Sequence, residues 1–313
     1  MFDLYKRIWM ATGRSQVLLL LLSALVAAIA AVPLDYQKQI INGLDGDLDT
    51  SGLIRLCLEM SAVILVSLGL KWALGYQAGV VGEYVIRRLR NVIYEDSLRP
   101  SGDGEPTVPK GTLSTLISTE SESIGKFVGS AVSEPVLQWG TMISVVGYIA
   151  ATQPRLGLIV AMIIIPQALI VIFTQKHINA LVRERVLILR HSIDTITATE
   201  IYGLKQSVLD DFDAIYEARR KIFIWKLSTK FLLSTLNGIG TILVLGVGGW
   251  LALEGKSDVG IVVAATIGLS RIQQPWRSLI TFYRNLSAVQ VQFELLRVQL
   301  EKMQANRPSA TAS

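Results

Sequence analysis

The chain alternates between long apolar blocks and long mixed blocks, and the apolar blocks are of membrane length. About 20 apolar residues are needed to cross roughly 30 Å of hydrocarbon. Candidate spans lie at 17–32, closed by Pro33, at 56–80, at 136–151, at 156–174, which holds Pro166, at 232–253, and at 259–270, the weakest of the six. The connections on one side are short, whereas the mixed blocks 81–133 and 175–230 run to 53 and 56 residues. Unstructured loops of that length are uncommon. In the second block Val208, Leu209, Phe212, Ile215, Tyr216, Ile222 and Phe223 recur at helical steps. Spans two to five are therefore expected to continue as long helices. Two antiparallel arms would reach roughly 37 Å past the lipid, with tips near residues 100–110 and 192–203.

Composition supports a membrane protein. Of 313 residues, 51% are hydrophobic and 18% charged, with a mean hydropathy of +0.45; soluble domains carry about 25% charged residues. Charge then orients the spans. Twenty-five Lys and Arg residues fall on the side of the termini and the long blocks, and four fall on the other. The positive-inside bias predicts cytoplasmic termini and arms. The net charge of +5 gathers where an anionic leaflet would attract it, so membrane lipid accounts for it and a nucleic-acid partner is not required. Lys6 and Arg7 ahead of an apolar run and Ala28-Ile29-Ala30 also fit a cleaved secretory signal. Keeping both ends inside favours retention of span one.

Catalytic chemistry is not legible. There is no GxxxxGK[ST] loop for phosphates, no HExxH, one cysteine (Cys57) and two histidines, His177 and His191. No cofactor or metal is expected to be bound by this chain.

Ionisable and polar groups within spans carry the remaining information, because lipid penalises them unless they face a cavity or a partner. Lys71 sits mid-span. It either lines a pathway for anionic or amphipathic substrates, or snorkels or pairs with a neighbouring helix. Arg271, Gln273, Gln274 and Arg277 cluster around Pro275, either lining an aqueous cavity within a continuing helix or marking the cytoplasmic interface. Gln138, Gln167 and Asn237 are lone polar residues, for which hydrogen bonds between helices are expected ahead of substrate contact. With Lys71, Arg271 and Gln274 they form the candidate pathway set. Arg55 and Glu59, one turn apart, read as a surface ion pair. Gly75, Gly79 and Gly82, and Gly238, Gly240, Gly246, Gly248 and Gly249, are expected to permit close helix packing. Pro166 is expected to kink span four.

Several ordered motifs now carry a family resemblance. Pro109, Gly111, Leu113, Ile117 and Glu120 in the first arm, Ile193, Ile196, Thr199, Tyr202, Gly203 and Phe212 in the second, and Gly260, Pro275 and Leu279 in the last span fall on the corresponding runs of ATP-binding-cassette (ABC) exporter transmembrane domains. The resemblance covers roughly residues 18–300. It implies an all-α membrane fold of six spans with two long cytoplasmic hairpins over residues 1–303, followed by a polar tail, 304–313. It also implies a homo- or heterodimer and a nucleotide-binding ATPase subunit holding ATP and Mg, engaged by the arm tips. Those tips comprise Gly104, Glu105 and Pro109 in the first arm and Thr195, Glu200, Tyr202 and Gly203 in the second. The pattern departs from the family at both tips. Gly104 and Glu105 replace an aromatic pair, and His191, Thr195, Glu200 and Lys205 replace Glu, Gly, Lys and Glu. The leading expectation is the membrane subunit of an ATP-driven exporter in a bacterial inner membrane, with its ATPase encoded separately. A non-transporting scaffold or sensor built on the same domain is the alternative. A piece of a longer chain is a third reading, and a transporter run by an ion gradient has little support, since the spans lack paired carboxylates.

Overall fold

The computed structural model describes residues 2–44, 46, 48–98, 110–198 and 205–305, and every regular element among them is helical. Helix α1 (Phe2–Ile29) is interrupted at Thr12, whose backbone leaves the helical region (φ −139°) while its hydroxyl donates to the Ile8 carbonyl at 2.8 Å. The first apolar run ends at the turn over Ala30 and Ala31, as Pro33 foretells. The chain then re-enters a helix, α2 (Val32–Leu44), where the sequence reads as an outer loop. Pro33 is tolerated because the first-turn N–H groups of a helix have no intrahelical partner. α2 packs inward through buried Leu34 and through Asp35, which accepts from the Tyr148 hydroxyl at 3.0 Å.

Helix α3 (Thr50–Ser97) follows, capped by Asp49, whose carboxylate accepts from the Gly52 N–H at 2.9 Å. After the first tip come α4 (Lys110–Thr115), a π turn (Leu116–Glu120), α5 (Ser121–Ser130) and α6 (Ser133–Thr152). Helices α7 (Pro154–Ala198) and α8 (Lys205–Leu253) form the second long hairpin, and α9 (Val259–Arg271) and α10 (Gln273–Ala305) close the order. With 48, 45 and 49 residues, α3, α7 and α8 each measure about 70 Å at 1.5 Å per residue, roughly twice the hydrocarbon thickness. Each must project beyond the lipid. The expected helical arms are thus continuations of the spans.

Among the described residues four stretches are long and apolar enough to cross a membrane alone: Ile8–Leu44, Thr50–Ser97, Pro154–Ile193 and Gln206–Leu253. The segments expected as spans three and six, α6 and α9, are shorter and walled in by other helices. α6 packs on α1, α7, α9 and α10, and α9 packs on α2 and α8. A helix screened from lipid by its neighbours needs less apolar length and can keep polar side chains. α9 ends one residue before α10, because Pro275 supplies no N–H across the junction. The bonds that remain run from the Ile272 N–H to Leu269 (3.3 Å) and from the Trp276 N–H to Ile272 (3.4 Å). α7, by contrast, runs through Pro166 as one helix.

Beside a small third cluster around Ile178, Val182 and Ile222 of α7 and α8, two large apolar cores stand out among the described residues. One joins α1, α3, α5 and α10 around Leu19, Ile93, Leu116 and Ala131. The other joins α2, α6, α7, α9 and α10 around Leu34, Leu156, Leu269 and Trp276. The glycine expectation holds in part. Gly82 faces the Gly125 carbonyl, and a Cβ on Gly129 would lie 2.2 Å from the Ala78 carbonyl oxygen, so α3 and α5 touch backbone to backbone. Gly75 and Gly79 meet nothing within 4 Å, and neither do Gly238, Gly246 and Gly249, whereas Gly240 and Gly248 are packed. Gly75 and Gly79 lie near the middle of α3, where Leu65, Leu68, Trp72 and Tyr76 are exposed. Arg55 and Glu59 do form the surface pair expected of them, at 2.9 Å.

Gly260, one of the motif positions, has a specific role. Its N–H donates to Asn42 Oδ1 at 2.8 Å, and any Cβ there would strike that oxygen and the Lys38 carbonyl. α9 is thereby seated on α2 at its N-terminal end.

Candidate functional site

Four of the six pathway candidates line one cavity. Lys71 from α3, Gln138 from α6, Arg271 from the end of α9 and Gln274 from the start of α10 surround a space of about 520 Å³, floored by Val26 and Ile29 of α1. Two cations and no carboxylate line it. The α9–α10 junction explains how both Arg271 and Gln274 reach the same space. Arg271 is the last residue of α9 and the chain re-enters a helix at Gln273, so the helix expected to continue is broken at Ile272, with Arg271 and Gln274 on this space. Gln273 lies on the opposite side, lining a different cavity with Arg277.

A second space of about 600 Å³ adjoins the first, since Gln274 and Ser278 line both. Its walls are Lys126, Ser130 and Glu134 from α5 and α6, and Arg277, Thr281 and Asn285 from α10. Gln274, Ser278, Thr281 and Asn285 follow one another at helical steps, so α10 presents a polar stripe that leads from the Lys71 cavity towards the first arm. The sequence carried this signal in its three- and four-residue spacing, although only the first part of the stripe stood out beside Pro275.

The remaining candidates are placed otherwise. Gln138 donates to Glu134 on its own helix at 3.0 Å rather than to a neighbour. Gln167 is buried and accepts from the Trp276 indole N–H at 2.8 Å, joining α7 to α10 as expected of an interhelical bond. Trp276 also meets Trp139 edge-on, with ring centroids 5.6 Å apart. Asn237 is half-buried on α8 and lines none of these cavities. Gln167→Leu should strand the buried indole N–H and lower stability by about 1–3 kcal/mol; thermal unfolding in detergent measures it, and an unchanged midpoint would contradict the assignment.

At the arm tips, Gly104, Glu105, Pro109, Glu200, Tyr202 and Gly203 lie outside the described residues. Thr195 is described, half-buried in the last turns of α7. What the structure adds is a tie between the arms above the tips. Glu120, the last residue of the π turn, is buried and paired with Arg190 of α7. Ser121, next to it, donates to the Leu116 carbonyl at 2.7 Å. Burial pushes the Glu120 carboxyl up, against the downward pull of the Arg190 guanidinium. Arg90 donates to the Ile117 carbonyl at 2.9 Å, Ser123 to Gln292 of α10 at 2.7 Å, and Ser192 to Asp211 across the second arm at 2.9 Å. Glu120 was visible as a motif position. Its partner was not, because Arg190 is one of ten basic residues in its block.

The helices are long enough to outrun a bilayer, and between them lie a cavity lined by two cations and a polar stripe leading from it towards the cross-tied arms. The model of the ABC transporter transmembrane region matches residues 17–276, most of the chain. The chain belongs to this family: it is an integral membrane protein and a transmembrane component of an ABC transporter, a class that works with nucleotide-binding domains.

Proposed function

We propose that this chain forms half of the translocation pathway of an ATP-driven exporter, assembled as a dimer and driven by a separately encoded nucleotide-binding subunit. The observation that carries the reading is the continuity of α3, α7 and α8 from the membrane into arms tied together by Glu120 and Arg190. A rigid rod transmits a displacement at its tip to its other end, and rocking of packed helices about a central site is a recurrent way to alternate access. Lys71, Gln138, Arg271 and Gln274 would face the substrate, and the paired cations favour an anionic or amphipathic one. The partner subunit would hold ATP and Mg²⁺ and receive the arm tips, including Thr195, Glu200, Tyr202 and Gly203. The basic excess on the arm side supports cytoplasmic arms and termini.

The test is co-expression with a candidate ATPase and reconstitution into vesicles. A stable complex is expected, with ATP hydrolysis altered by reconstitution and ATP-dependent efflux lost in Lys71→Gln/Arg271→Gln. Should only partners without ATPase activity be captured, the scaffold reading replaces this one.

A further inference from the structure

We propose that a second cavity, between α7, α8 and α10, is a binding site for the phosphate-bearing headgroup of an anionic amphiphile. It encloses about 360 Å³, within the usual range for small-molecule sites. Lys226 and Lys230, one turn apart on α8, and Arg277 and Arg284, two turns apart on α10, bring four cations to its walls and no carboxylate is among the lining residues. Lys226, Lys230 and Arg284 make no ion pair among the described residues. α8 and α10 run in opposite directions, so Lys226 and Arg284 share one end while Ser234 and Gln273 share the other. Leu233, Trp276 and Ile280 supply an apolar wall between them.

The positive charge extends past the lining. Arg185 of α7 lies within reach of the like charges of Arg219 and Arg284. Its Nε is buried without a partner. Like charges gathered from three helices repel one another unless an anion sits among them, and phosphate oxygens accept charge-assisted hydrogen bonds from Lys and Arg. Basic pockets between membrane helices are a recognised setting for phospholipid headgroups, and the apolar wall is what an acyl chain needs and a free anion does not. The placement at the cytoplasmic boundary rests on the orientation proposed above. The binding chemistry requires neither that orientation nor transport.

Full-length chain in phosphatidylcholine nanodiscs doped with phosphatidylglycerol tests this directly. Native mass spectrometry reads the lipid retained, and acetylation of Lys226 and Lys230 reads occupancy. The expected result is preferential retention of phosphatidylglycerol with both lysines protected, and a preference reduced about tenfold or more in Lys230→Gln/Arg284→Gln through the lost charge-assisted bonds. The charge-keeping Lys230→Arg/Arg284→Lys and the outer-loop Lys256→Gln should retain it. Protection by glycerol phosphate in discs of phosphatidylcholine alone, without phosphatidylglycerol retention, would keep the phosphate site and assign it to a soluble ligand. Wild-type lysines labelled equally under all conditions, or a preference unchanged in the neutralised variant, would overturn it.

Discussion

Arg190→Ala is expected to destabilise the junction of the two arms by about 3–5 kcal/mol, the usual cost of leaving one member of a buried ion pair alone. Glu120 is 6% exposed and its second oxygen lacks a hydrogen-bond partner, so losing the guanidinium would leave the carboxylate buried without its ion-pair partner. Hydrogen exchange should accelerate in α5 and in the arm half of α7 while the helices around Trp276 keep their protection. Glu120→Gln/Arg190→Met should recover most of the loss, because removing both charges also removes the desolvation cost. Arg190→Lys should recover only part, since an ammonium lacks the planar fork of the guanidinium. Equal exchange rates in Arg190→Ala and wild type would show that the arms are held by other contacts.

Gly129→Val should be about as severe, at roughly 3 kcal/mol, the upper end of ordinary overpacking. The obstacle is the Ala78 carbonyl 2.2 Å from the position of an added Cβ, and a helix backbone cannot turn aside as a side chain can. Relief requires α5 to separate from α3, which would open the core around Phe127 and Ile93. Gly75→Ala and Gly79→Ala provide the contrast: with open space around them, helix propensity alone should make them neutral or stabilising by up to about 1 kcal/mol in the isolated chain. Melting of all three variants side by side checks both statements, and a Gly129→Val protein as stable as wild type would refute the first.

These glycines show where sequence reasoning reached its limit. A GxxxG spacing reports that close approach is possible on a face; it does not say that another helix lies there. Gly125 and Gly129, which are in contact, form an equally good pair in a block that reads as polar arm. The apolar blocks themselves were legible, because period and length are local properties, and they place α3, α7, α8 and α9 correctly. α2 escaped because Pro33 and the acidic residues after it resemble a loop, while the groups that bury Leu34 and the Tyr148 hydroxyl that meets Asp35 come from helices distant in sequence. The same holds for the site. Lys71 and Arg271 were conspicuous as charges in apolar surroundings, and the structure places them with Gln138 and Gln274 on one cavity. Lys226, Lys230 and Arg284 were not conspicuous, since each sits in a basic block where topology alone explains its charge.

The one-residue break at Ile272 has a mechanical consequence. On one side of it, α9 is anchored to α2 through Asn42 and Gly260; on the other, α10 is bound to α5 through Ser123 and Gln292. Backbone bonding across the break is thin, and Pro275 removes one bond for good. The sixth rod is therefore a two-piece linkage with its knuckle beside the Lys71 cavity. A swing of α10 with α5 would reposition Gln274 against Arg271 while α9 stays seated on α2, changing the cavity's polar wall on one side of the break alone.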